Sequence, residues 1–129
     1  MRYVVDTHAL IWFLEGSRRL GREAERVLRD PDAALILPAI VLAEAKFLFA
    51  KKRVRTDLEA IYGRIVEARN CAIYPLDEAV ISAMPTDLEI HDAVIVATAR
   101  VIGEALGEEV AVITRDEEIR SWGRIRTVW

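Results

Sequence analysis

Tyr3-Val4-Val5-Asp6 opens the chain as a short β-branched run that stops on a carboxylate, and the helix-like segment Ala9 to Glu15 follows it. A continuous apolar run of this kind reads as a strand buried on both faces. Working outward, the same alternation continues to the end of the chain. Gly16 stops the first helix, and Arg22 to Arg29 forms a second, closed by Asp30-Pro31. Ala34 to Leu37 is a second buried strand, and Ala39 to Lys52 a long, mostly apolar helix. Thr56, with Glu59 three residues on, forms a capping box for the next helix. Leu58, Ile61, Tyr62, Ile65 and Val66 share one face of it. Ala72 to Tyr74 is a third strand, stopped by Pro75, and Asp77 caps a short helix from Glu78 to Met84. Ile90 to Ile102 is a strong helix ended by Gly103; Val110 to Ile113 is a fourth strand. Glu117 to Trp122 is a short helix, and Ile125 to Val128 a fifth strand. Strands separated by helices predict an α/β fold with a parallel sheet covered on both faces. Such sheets hold ligands in the crevice beyond the carboxyl ends of their strands.

The length of 129 residues is that of one domain, spanning 1–129. With 53% hydrophobic and 30% charged residues the chain is globular rather than disordered. Its 18 basic and 21 acidic residues give a net charge of −3, against the basic balance of a bulk nucleic-acid binder. An enzyme whose acids gather in one place stays open. Cys71 is the single cysteine, so an internal disulfide and a cysteine metal cluster are both excluded. The first residues lack a signal-peptide pattern. The longest apolar stretch, Ala33 to Ala43, has 11 residues and a proline, too short to span a bilayer. A cytoplasmic location is expected.

Four acids carry the chemistry. Asp6 ends the first strand, where it is either a helix cap or a ligand. Glu44 lies in line with Ile40, Phe47 and Leu48 on the apolar stripe of its helix. A carboxylate facing a core needs a salt-bridge partner or a metal. Asp92 opens the apolar run Ala93 to Ala99 on an inward stripe, and Asp116 follows the fourth strand. In a parallel sheet Asp6, Glu44 and Asp116 share one edge, and Asp92 needs only a loop of the right length to join them. Carboxylates that close raise one another's pKa, and a hard divalent cation removes the conflict. An oxygen-only donor set favours Mg2+ or Mn2+ over Zn2+. Such a site suits in-line attack on a phosphodiester with no side-chain nucleophile.

Val4-Val5-Asp6-Thr7-His8-Ala9-Leu10-Ile11-Trp12 resembles the opening of PIN-domain ribonucleases, especially VapC-type toxins of toxin–antitoxin pairs. The resemblance continues through Pro38 to Glu44, His91 to Ala99, and Ile113 to Asp116. It covers nearly the whole chain, in order and at the family's spacing. It implies a three-layer α/β/α sandwich with a mostly parallel four- to five-stranded sheet. It further implies dependence on Mg2+ or Mn2+ and cleavage of single-stranded or loop RNA. Asp6, Glu44 and Asp92 match the metal ligands. Asp116 matches the fourth acid, which holds a second metal or orders water. Thr114 matches a hydrogen-bonding position at the site, with Thr7 in support. Family members usually form homodimers and are blocked by a small antitoxin protein. Where some members carry a hydroxyl after the second strand this chain has Pro38-Ala39, so no such role transfers. Asp87 and Glu89 compete with Asp92 for its role, and Asp92 is better placed.

Lys46 to Arg55 contains Lys46, Lys51, Lys52, Arg53 and Arg55 and no acid. It reads as a rim for RNA phosphates beside the metal site. His8 reads as a satisfied structural histidine. Trp12 reads as core or dimer interface rather than a base platform, and with Phe47 and Phe49 it marks a candidate dimer surface. Response regulators and haloacid-dehalogenase-type phosphatases also place an Asp after the first strand. Both need a later lysine, and none follows Lys52. The remaining rival is a PIN-fold module that binds proteins and no longer turns over.

Overall fold

The computed structural model describes residues 1–129. Five strands form one sheet in the order β3-β2-β1-β4-β5, every neighbouring pair parallel. They are β1 (Arg2–Val5), β2 (Ala34–Pro38), β3 (Cys71–Tyr74), β4 (Val110–Ile113) and β5 (Thr127–Val128). Seven helices intervene: α1 (Thr7–Leu14), α2 (Arg22–Arg29), α3 (Ala39–Ala50), α4 (Leu58–Ala68), α5 (Glu78–Ala83), α6 (Ile90–Leu106) and α7 (Glu117–Trp122). The three-layer α/β/α sandwich expected from the sequence is what forms, with five strands. β1 is central. The chain moves from it through β2 to β3, then returns to β4 on its other side. The order therefore reverses between β1 and β4, the switch point where open α/β sheets place ligands.

Burial follows the strand pattern. All four residues of β4 are buried, as are Val4, Val5 and Leu35 to Pro38. The edge strand β3 departs from the expected cover on both faces, since Ala72 and Ile73 are exposed. α6 packs against β1, β2 and β4, and α5 lies on α6. α3 touches α1, α4 and α6, which ties the helices together across the carboxyl edge.

Several boundaries differ from the sequence reading, each for a local reason. α1 begins at Thr7 rather than Ala9, because the Asp6 side chain accepts the Thr7 N–H. The cap of α4 is Asp57, which accepts the Ala60 N–H, and Thr56 instead donates its hydroxyl to Glu15. The expected capping box is absent. On α4 only Ile61 of the predicted face is buried; Tyr62 and Val66 are exposed. α3 ends at Ala50, two residues early, and α5 ends at Ala83. α6 runs through Gly103 to Leu106, where Gly107 takes a left-handed conformation at φ 65°. Gly103 serves a close approach rather than a stop: a Cβ there would lie 3.0 Å from the Glu108 carbonyl oxygen.

Candidate active site

Asp6 stands where the β1–β4 ladder ends. Its N–H donates to the Ile113 carbonyl at 3.0 Å, one step beyond the strands. Its carboxylate is fixed by two short bonds. Oδ1 accepts the Thr7 N–H at 2.6 Å, and Oδ2 accepts the Thr114 hydroxyl at 2.6 Å. The Thr114 Oγ1 in turn accepts the Asp116 N–H at 2.9 Å. Asp116 caps α7, its Oδ1 accepting from Glu118 N at 2.8 Å and Ile119 N at 3.1 Å. Capping and membership of the acid group are therefore compatible for both aspartates. Burial raises the Asp6 pKa and nearby Asp116 adds to it, against the two hydrogen bonds and His8.

The other two acids arrive on helices. Glu44 sits one turn into α3, half-buried, and forms no salt bridge. The residues α3 buries fully are Val41, Leu42 and Ala45; Ile40 and Leu48 pack half-buried against the core and, with Glu44 and Phe47, form a cleft wall. His91 faces Glu44 across that cleft. Burial raises the Glu44 pKa and Asp6 adds to it. Asp92 lies in the first turn of α6, two residues inside its start, because Glu89 rather than Asp92 caps the helix. Its competitors are engaged elsewhere. Asp87 accepts the Trp122 indole N–H at 3.0 Å, and Glu89 accepts the His91 N–H at 3.0 Å and holds its Nδ1 at 2.8 Å. Burial, then repulsion from Asp116, Asp6, Glu89 and Glu44, pushes the Asp92 pKa up to about 7. The four predicted acids therefore stand within electrostatic reach of one another, Glu44 on one cleft and Asp6 and Asp116 on another.

A divalent cation would relieve such a field, and the donor types present suit one. The donors are carboxylates and hydroxyls, which suit hard ions. The Thr7 hydroxyl is buried and without a hydrogen-bond partner, facing the Glu44 carboxylate closely enough to ease its charge. No three of the acids are drawn tightly enough to ring a single ion. The site is thus acid-lined and spread.

The second cleft beside the acids is lined by Asp6, His8, Trp12, Arg115, Asp116 and Glu117. His8 is exposed and lies against Trp12 at 5.3 Å between ring centroids. Trp12 is half-buried, edge-on to Trp129 at 5.9 Å. Phe47 and Phe49 are exposed. The basic segment does not join the acids. Lys46, two residues beyond Glu44, is exposed on a different face of α3. Lys51, Lys52 and Arg53 follow the far end of the helix, about 10 Å along its axis from Glu44. Sequence reasoning passed over Arg115, whose only signal was a permanent charge between Thr114 and Asp116, and His91, read only as part of a motif block.

An open, all-parallel α/β domain with carboxylates gathered at its switch point is the class this fold and site define. The chain belongs to the PIN domain family, which matches residues 3–124. That span includes all four acids, and PIN domains are generally metal-dependent nucleases. A search of curated proteins found no match.

Proposed function

We propose that the protein is a Mg2+-dependent endoribonuclease, with Mn2+ also suited, and the VapC-type toxin of a toxin–antitoxin pair. The observation that carries this reading is the placement of Asp6, Glu44, Asp92 and Asp116 beyond the carboxyl ends of the strands, with Asp6 and Asp116 tied through Thr114. A bound divalent cation supplies the Lewis acidity for hydrolysing a phosphodiester. Asp6, Glu44 and Asp92 would hold it once drawn closer together, and Asp116 would be the fourth acid. Thr114 holds Asp6 in a fixed orientation, and the Thr7 hydroxyl supports Glu44. Lys46, Lys51, Lys52 and Arg53 form an outer rim that meets RNA phosphates away from the cut. The partners proposed are RNA, a small antitoxin and a second copy of the chain, and the exposed Phe47 and Phe49 support a protein-binding surface. The proposed location is the cytoplasm. No helix is long and apolar enough to cross a membrane.

The test is cleavage of a mixed-sequence single-stranded RNA pool with Mg2+, with EDTA, and by Asp6→Asn. Cleavage is expected only for the native chain with Mg2+. Several kcal/mol of lost charge stabilisation makes the Asp6→Asn rate about 10³-fold lower. Activity that survives EDTA refutes the metal reading. No RNA cleavage, together with no Mg2+ binding by calorimetry, refutes the enzyme and leaves a binding module.

A further inference from the structure

We propose that Arg115, supported by Trp12, is the subsite that grips a phosphate of the RNA chain at the mouth of the acid cleft. The proposal rests on the ribonuclease reading and adds a substrate contact to it. Arg115 leaves the end of β4 between two residues of the acid network, and it is exposed. Its guanidinium carbon lies 5.2 Å from the Trp12 ring centroid, within cation–π range. It makes no salt bridge, although Asp116 and Glu117 follow it directly. Asp116 instead turns its Oδ1 to cap α7. Arg115 is therefore a positioned guanidinium whose charge no neighbouring carboxylate takes up.

The support behind it is built. Trp12 is flanked by His8 at 5.3 Å, Trp129 at 5.9 Å and the Arg19 guanidinium at 5.9 Å. Trp129 lies directly over Gly21, where a Cβ would meet it at 2.5 Å. A ring so crowded is a backing for Arg115 rather than an open platform for a base. The cleft itself carries Asp6, Asp116 and Glu117, a lining that repels a phosphodiester. Arg115 is the one permanent cation in that lining, and its planar fork matches two phosphate oxygens.

The experiment measures kcat and KM for cleavage of a fluorescent mixed-sequence single-stranded RNA in Mg2+, across a series of KCl concentrations. The variants are Arg115→Ala, Arg115→Lys and Trp12→Leu, each checked by thermal unfolding. Arg115→Ala is expected to raise KM about tenfold or more, the loss of one charge-assisted hydrogen-bonded contact. Its kcat stays near that of the native chain. The slope of log kcat/KM against log salt becomes shallower by about 0.7, one phosphate contact on a single strand. Arg115→Lys keeps the slope and recovers part of the affinity. Trp12→Leu raises KM by less than Arg115→Ala does. If Arg115→Ala retains the native KM and salt slope while the native chain cleaves RNA, this inference alone falls. Native RNA kinetics combined with lost binding of a poly-glutamate peptide would assign Arg115 to an acidic protein partner and overturn it. No cleavage by the native chain removes the ribonuclease reading and this subsite with it.

Discussion

The strand-end half of the acid group and its helix half are built differently. Asp6 and Asp116 hang from β1 and β4 and are tied through Thr114, Thr7 N, Glu118 N and Ile119 N. Glu44 and Asp92 come from α3 and α6, and neither carboxylate forms a salt bridge; only the Thr7 hydroxyl approaches Glu44. The first pair is oriented before any ligand arrives. The second pair stores repulsion, and Asp92 feels all of its acidic neighbours. Fixed geometry on one side and unrelieved charge on the other is the arrangement expected of a site that gains stability on taking up a cation.

Thr114→Val breaks the tied half and carries the largest expected effect. Thr114 is fully buried, and its hydroxyl donates to Asp6 while accepting from Asp116 N. Valine fills the space but leaves a carboxylate oxygen and a backbone N–H without partners. RNA cleavage in Mg2+ is expected to fall about 10–100-fold, the usual cost of losing a group that orients a ligand. Thermal unfolding is expected to show a loss of about 1–3 kcal/mol. Native cleavage rates in this variant would show that Asp6 does not depend on the tie.

Asp92→Asn sharpens the other half, through pH. In the fold the Asp92 pKa is pushed up to about 7, against 3.8 for an ordinary aspartate. Between those limits the folded chain binds more protons than the unfolded one, so this contribution weakens as pH rises. It is fully present below the lower limit and gone above the upper one. Asp6 and Glu44, also raised, act in the same direction. The Tm of the metal-free protein is therefore expected to fall from about pH 4 to about pH 7, and Mg2+ to restore it. Asn cannot ionise, so the variant loses part of the pH slope. It melts a few degrees higher than the native metal-free chain at about pH 8, with a smaller response to Mg2+. An identical pH profile for both proteins would show that Asp92 carries no stored repulsion.

The same division explains what was legible in the sequence. Strand-end acids follow from a parallel sheet, because β1 and β4 deliver Asp6 and Asp116 to the same edge wherever the helices lie. Glu44 was legible because a carboxylate on an apolar stripe demands a reason, although the stripe proved to be a cleft wall. Asp92 was readable only within a run of acids, and what separates it is that Asp87 and Glu89 are bonded to Trp122 and His91. Arg115 was not legible. Its role depends on Asp116 turning away to cap α7 and on Trp12 arriving from α1, both side-chain orientations that no spacing encodes. The basic run after Lys46 lies farther from the acids than its place in the sequence implied. Closeness in sequence to Glu44 became distance once α3 carried Lys51 away along its axis.

Thr7→Val probes the helix half most gently and mirrors the substitution at Thr114. The Thr7 side chain is buried, yet its hydroxyl has no hydrogen-bond partner, so valine removes an unpaired polar atom without opening a cavity. The backbone N–H that holds Asp6 remains. Stability is expected to stay level or rise by up to about 1 kcal/mol, since an unsatisfied buried group is costly. The hydroxyl nonetheless faces Glu44 and eases its charge. Cleavage is therefore expected to drop only about 3- to 10-fold, less than a full orienting bond is worth. The two valine variants then separate the halves: the tied threonine loses stability and activity together, whereas the free one loses activity alone. Equal losses of stability at both positions would mean that Thr7 is tied as firmly as Thr114, and the division between the halves would fail.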